Sequence, residues 1–322
     1  MRKILKNVLI VAFTLVLVIA LISQIKLSDI VLTLKHFKIN YLIYAFFLYL
    51  ITYFFRAFRF YILINKISLK DLFLITSVHN LANNLLFLHT GELSYIYLLK
   101  KMKKISTESG ITDIIVIRIF DIISISTLFF VSLPFVQVLP QWVGRSTILI
   151  GTILLMTMIT LLCLIFRGSI FVGAFNRMLK TIGLGNTKFT NFLIKKLYNI
   201  SISIKRIKSK TSIIKLYLTS FIIWILTYLI LFIFIKGMGL SFSFFQMVIA
   251  LTMLSILNIF PIRGIGGFGT TEGAWTVVLM GFNTSKETAI VVGFSLHIIQ
   301  LLYVLFFGLI GIVLIRNKLR KN

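Results

Sequence analysis

The sequence is poor in cysteine, in histidine and, above all, in acids. One cysteine, Cys163, lies inside an apolar run, which excludes a disulfide framework within the chain and a thiolate metal site. The four histidines, His36, His79, His89 and His297, show no metal-binding spacing, so neither a metal nor another cofactor is expected. Eight Asp and Glu residues supply no acid-base pair beside a plausible nucleophile, and no polar stretch is long enough for a soluble catalytic domain. The residues therefore point away from an enzyme. The short alternating segments of a membrane β-barrel are missing too.

What is abundant is apolar. Hydrophobic residues make up 59% of the 322, with mean hydropathy +1.03, against about 45–50% in soluble domains. Apolar runs of about twenty residues recur, the length needed to cross about 30 Å of hydrocarbon. The fold class is all-α: a polytopic helical membrane protein forming one transmembrane domain over residues 1–322. The 34 Lys and Arg give a net charge of +26. Because that excess lies in loops beside apolar runs, it reads as topology and contact with anionic lipid, not as nucleic-acid binding.

Six full spans are expected: 4–22, kept as an uncleaved first span, then 41–64, 110–133, 147–166, 212–235 and 289–315. Residues 26–38 alternate charged and apolar side chains at helical spacing and are expected to lie in the interface. Two further apolar regions, 72–99 and 242–282, are broken in the middle by HNLANNLLFLHTGE and by NIFPIRGIGGFGTTE. The connection from 167 to 215 holds eleven Lys or Arg and no acid, and reads as a basic segment (167–211) on the anionic inner leaflet. Placing both termini, the loops at 66 and 100 and this connection in the cytoplasm puts most of the basic residues on one side of the plasma membrane.

With that layout each half, 1–133 and 147–315, reads span, span, broken hairpin, span, in opposite orientations. This predicts an inverted repeat with two oppositely directed re-entrant hairpins. Thr90-Gly91-Glu92 and Thr270-Thr271-Glu272 each open the second arm of a hairpin. Inverted repeats with paired broken helices place a transport site near the bilayer midplane.

The polar groups at membrane depth are the candidate site. Arg56, Arg59, Arg118 and Arg263 stand against Glu92, Asp121 and Glu272, which leaves one cation over. A surplus cation beside two helix starts suits an anionic headgroup, since helix N-termini offer unpaired N–H groups and Arg binds phosphate in a bidentate manner. Glu92 and Glu272 equally suit pairing with an Arg to fix helix packing, and Arg56 and Arg59 suit snorkelling. Arg118 and Asp121, three apart, read as a pair orienting their own span. His297 and Gln300 read as interhelical hydrogen-bonding residues. The Gly264–Gly269 run matches GxGxxG formally, yet no strand precedes it, so its glycines read as turn residues.

At these two breaks, HNLANNLLFLHTGELSYIYLLKK with VIRIFD, and FPIRGIGGFGTTEGAW, the chain resembles the lysylphosphatidylglycerol synthase transmembrane family. The resemblance covers essentially the whole chain. Asn84, Gly91, Glu92, Arg118, Asp121, Pro261, Gly266, Gly267, Gly269 and Glu272 stand where the family pattern places them, and Asn258 precedes the second set. The chain departs from that pattern around the first Gly-Glu pair, with Leu86, Phe87 and Leu88 before it in place of a Pro and Ser94 and Tyr95 after it. The resemblance implies a flippase-like membrane half without the fused aminoacyl-transfer domain. On this reading the substrate is an anionic membrane lipid, a phospholipid or polyprenyl phosphate. A group-transfer enzyme on lipid, a membrane subunit for a separate transferase, and a small-solute transporter stay open. The oligomeric state stays open as well.

Overall fold

The computed structural model describes residues 14–86, 91–136, 139–181, 183, 187–205, 207, 209–257 and 264–321. Among the described residues the regular elements are all helical, with no strand. Short α1 (Thr14–Ile22) and α2 (Leu27–His36) meet at a bend of 80°. Among the described residues five helices are long and apolar enough to span a membrane: α3 (Ile39–Leu63), α6 (Thr107–Ser132), α7 (Gln141–Thr181), α9 (Lys210–Gly237) and α12 (Lys286–Lys321). The bent α1/α2 pair would make a sixth. Most of the expected first span, 4–13, lies outside the described residues.

Between the long helices lie two broken pairs. The first is α4 (Leu69–Leu85) and α5 (Glu92–Lys103), and the second is α10 (Phe244–Leu257) and α11 (Thr270–Gly281). At 1.5 Å per residue these arms reach only about 18–26 Å, short of a full crossing. The remaining helix, α8 (Lys188–Lys205), belongs to the basic connection.

Local chemistry sets the boundaries. Ser68, Ser106, Ser209 and Ser285 each cap a helix by accepting from the backbone N–H three residues on. Lys104 ends α5 in the left-handed region at φ 54°. The expected fourth span begins earlier, at Gln141, because its N-terminal turn packs Trp142 onto Gly281. It also runs on to Thr181 through a kink at Arg167 (φ −136°, ψ 30°). Beyond the kink the basic segment is a second layer, since Val172, Leu197 and Ile204 close against Leu161, Leu164 and Ile119. Lys195 and Lys196 face outward.

Lipid is as apolar as leucine, so helix contact within a membrane relies on close approach more than on burial from water. Gly308 and Gly311 let α12 lie directly on Leu81 and Ser77 of α4, and Gly293 admits Trp275 of α11. One packing scheme occurs twice. Helix α3 packs on α4, α4 on α5, α5 on α6 and α6 on α9; α9 packs on α10, α10 on α11 and α11 on α12. Then α12 returns to α3 through Tyr303 stacked on Tyr49 and donating to the carbonyl of Leu42. Across the halves α4 meets α12 and α10 meets α6, with α3 against α9 between them.

Candidate functional site

The break in the first pair starts where Leu86 ends α4 and closes where Gly91 lies against α4 again. A Cβ at Gly91 would overlap the backbone of Ala82 and Asn83, so a side chain is excluded there. The Gly91 carbonyl accepts from Ser94 Oγ at 2.6 Å and contacts His79 Nδ1 at 3.3 Å. This holds Glu92 at the first position of α5, where an acid suits the helix dipole.

From there the expected pairing changes. Arg118 and Asp121 do not form the ion pair their spacing predicts, because each finds a partner on another helix. Arg118 donates through Nη2 and Nε to Glu92 Oε1 at 2.7 and 3.2 Å. Asp121 accepts from Arg59, which also donates to Ser220 Oγ at 3.0 Å, and from Trp224 Nε1 at 2.9 Å. The second pair is buried, whereas Arg118 keeps 51% and Glu92 30% of their side chains exposed. Asp121 is thereby a junction of α3, α6 and α9 and Arg118 an accessible cation.

Arg56 is the third described arginine of the candidate set. It donates to Asn80 Oδ1, and Asn80 in turn donates to Tyr53. Among the described residues Arg56 has no carboxylate partner. Asn84 donates to the carbonyl of Asn80 at 2.8 Å, which keeps its amide on the same face.

These groups line one cavity of about 360 Å³, walled by Arg56, Asn80, Asn84, Glu92, Arg118 and Asp121 with Trp224 and Thr227 of α9. Two spaces share its walls. A small recess of about 140 Å³ continues past Arg56 and Asn84 to Tyr49 and Gln300. On the other side Glu92, Arg118, Asp121 and Trp224 also border an apolar groove of about 570 Å³, lined by Ile122, Ile125, Ile153, Leu154 and Ile256. That groove runs along α7, whose outer face is exposed Ile, Leu and Met. A polar chamber that shares a wall with an apolar groove is an amphiphile-shaped arrangement.

The second break is built differently. Gly266, Gly267 and Gly269 adopt φ of 61°, 83° and 77°, conformations open to glycine. Thr270 Oγ1 accepts from the Gly264 N–H and Thr14 Oγ1 from that of Ile265, fastening the turn to α1. These glycines make the turn and line none of the three spaces just described. Glu272 stands apart as well. It is fully buried, and its Oε1 lies 2.6 Å from Nδ1 of His297, with no Arg partner among the described residues. Asn258, Pro261 and Arg263 lie outside the described residues.

Reading the sequence alone missed His79, Asn80, Trp224 and Thr227 in the cavity and His297 as the partner of Glu272. A signal for the last was available. Ser106-Thr107-Glu108-Ser109 and Ser285-Lys286-Glu287-Thr288 cap α6 and α12 alike, and Arg118 and His297 are each the twelfth residue of the helix that follows. At the far end Asp71 accepts from Lys103 (2.7 Å) and Lys318, tying α4, α5 and α12 together. Burial opposes its charge, but the two ammonium groups together hold its carboxyl below the usual carboxylate range.

The family model that matches is the lysylphosphatidylglycerol synthase TM region, over residues 5–308. No curated protein and no solved structure matches the chain.

Proposed function

The chain belongs to the lysylphosphatidylglycerol synthase transmembrane family, and from that premise we propose that it binds an anionic membrane lipid and moves its headgroup between leaflets. The observation that supports this most is the shared wall of the polar chamber and the apolar groove, formed by Glu92, Arg118, Asp121 and Trp224. A phosphate headgroup would sit between Arg56 and Arg118, with Asn80 and Asn84 as further donors, while an acyl chain lies along Ile122, Ile125 and Ile153. Arg59 is excluded from direct binding by its commitment to Asp121. It positions the floor of the chamber.

On this reading the two broken pairs are re-entrant hairpins of an inverted repeat. The twice-used packing scheme and the matching positions of Glu92 with Arg118 and Glu272 with His297 support it. Both termini and the basic layer around α8 face the anionic inner leaflet of the plasma membrane. No step of this function needs a reaction at the lipid, so the protein acts as a flippase and not as a synthase.

Native mass spectrometry of the purified protein tests the reading, comparing it with Arg118→Lys and with the double variant Arg56→Gln/Arg118→Gln. Selective retention of a phosphate-headed lipid, reduced in the lysine variant and lost in the double, is expected. Equal retention of bulk lipid by all three folded proteins would overturn it.

A further inference from the structure

The C-terminal ends of α5 and α12 change character at one level. The apolar run of α5 ends at Leu99 and is followed by Lys100, Lys101 and Lys103. The last apolar run of α12 ends at Ile315 and is followed by Arg316, Lys318 and Arg320. Because Lys103 and Lys318 both reach Asp71 of α4, the two changes stand side by side. A switch from apolar to basic at the end of a spanning helix is where hydrocarbon gives way to charged headgroups.

A cavity of about 340 Å³ lies between α4, α5 and α12 at that level. Its apolar wall is Val78, Leu98, Ile312 and Ile315, and its basic rim is Lys101, Arg316 and Arg320. Ile312, Arg316 and Arg320 are four apart, so they form one stripe about 12 Å long, apolar at one end and cationic at the other. Gly311 brings α12 onto Ser77 and Val78 at the apolar end. The neighbouring Val313 and Leu314 are exposed, so this flank of α12 faces lipid.

The rim has no acid. All eight Asp and Glu residues of the chain are among the described ones. Asp71 is bonded to Lys103 and Lys318, and no ion pair among the described residues includes Lys101, Arg316 or Arg320. Lys101 stands over the exposed ring of Tyr97, 5.6 Å from its centre. Three like charges round one space repel one another until an anion enters. Topology explains why basic residues gather at this end. It does not require that they ring a space whose apolar walls come from both halves of the chain.

We propose that this cavity is a second lipid site, separate from the headgroup chamber. It takes an anionic phospholipid of the adjoining leaflet, with the phosphodiester among Lys101, Arg316 and Arg320 and an acyl chain against Val78 and Ile312. The cavity shares no lining residue with the chamber, its recess or its groove. Arg donates to a phosphate through two N–H groups at once, and the ammonium of Lys101 adds a point charge beside it. This lipid is not carried. It ties α5, whose first residue is Glu92, to α12, and so adds to the Asp71 junction a link whose strength follows the anionic lipid content of the membrane. The orientation proposed above makes that leaflet the inner one, and the site does not rest on it.

The full-length protein in a neutral detergent is titrated with phosphatidylglycerol or phosphatidylcholine of identical chains, and bound lipid is read by native mass spectrometry. Arg56→Gln/Arg118→Gln serves as the background, which removes the chamber's own preference. In it phosphatidylglycerol is expected to bind at least about fivefold tighter than phosphatidylcholine. Adding Arg316→Gln/Arg320→Gln, or separately Lys101→Gln on the other helix, should cut that preference at least about threefold. Lys195→Gln/Lys196→Gln, which removes the same charge from the exposed face of α8, should leave it within about twofold. Glycerophosphoglycerol, the same headgroup without acyl chains, should not compete. Melting in the same detergent shows which variants are folded, and the cavity substitutions are also made in the parent, where they should remove one of two selective lipids. An unchanged preference in the folded cavity variants or an equal drop in the α8 variant overturns the proposal. Full displacement by glycerophosphoglycerol also overturns it, by assigning the rim to a soluble phosphate. The two sites fail separately. A preference present in the parent and absent from the background sinks the second site and leaves the chamber standing. One that is equal in both and falls only with the cavity substitutions upholds the second site and sinks the chamber.

Discussion

Gly91 and Asn83 are in backbone-to-backbone contact. The chain leaves α4, turns, and returns so closely that a single methyl at Gly91 would overlap the Asn83 nitrogen. The φ of Gly91 is an ordinary −58°, so the requirement is for space and not for an unusual conformation. Because Glu92 follows directly, this contact sets where the Arg118 ion pair forms.

Gly91→Ala is therefore expected to destabilise the protein by about 1–3 kcal/mol through overpacking and to weaken lipid retention by displacing Glu92. Gly144→Ala, where a Cβ meets nothing within 4 Å, serves as the control and should be near neutral. Thermal unfolding in mild detergent with native mass spectrometry on the same samples reads both effects.

Arg59 and Asp121 are buried together, so removing either one strands a charge. Arg59→Gln and Asp121→Asn should each cost about 3–5 kcal/mol, and the double variant should cost less than the sum. A double-mutant cycle on unfolding gives the coupling. Additive losses would mean the two do not act as a pair.

Arg56 is expected to behave in the opposite way. Its head group bonds Asn80 and no carboxylate among the described residues, so Arg56→Gln should change stability by under about 1 kcal/mol. Retention of a phosphate-headed lipid should nonetheless fall. A melting temperature that drops as far as in Arg59→Gln would assign Arg56 to the packing and not to the chamber.

Asp71 predicts a pH effect of known sign. Its carboxyl is held below its unfolded value by Lys103 and Lys318, so its contribution is complete above the unfolded value, near pH 4, and is lost as pH falls through the folded one. Asp71→Asn should lower stability by about 2 kcal/mol at pH 7 and converge on the parent in acid. Unfolding curves from about pH 3 to 7 check this.

Much of the layout is legible in the sequence because lipid imposes it. A backbone without water must satisfy itself, so long apolar runs become helices and polar interruptions stand out. Residues 212–235 and 289–315 fall within long helices, and 41–64 and 110–133 match α3 and α6 to within one residue at the C-terminal end. The distal half of α7 was harder to foresee, since a kink at Arg167 and packing of α8 on Leu161 and Leu164 depend on residues distant in sequence. The three intramembrane acids were recognisable as rare charges that need partners. Their partners were not, because nearest spacing favoured Arg118 with Asp121 while the helices brought Arg59 and Glu92 closer.

By itself, then, the sequence determined a helical membrane chain, its basic flanks, its two breaks and the short list of charges that lipid would not tolerate alone. Those follow from transfer energies that act residue by residue. Tertiary structure decided that Arg56, among the described residues, has no acid beside it, and that the polar chamber shares a wall with an apolar groove. These depend on which faces of α3, α6, α9 and α12 meet. In lipid that choice is made by close packing of small residues and by pairing of buried charges across helices, and neither is a local property of the chain.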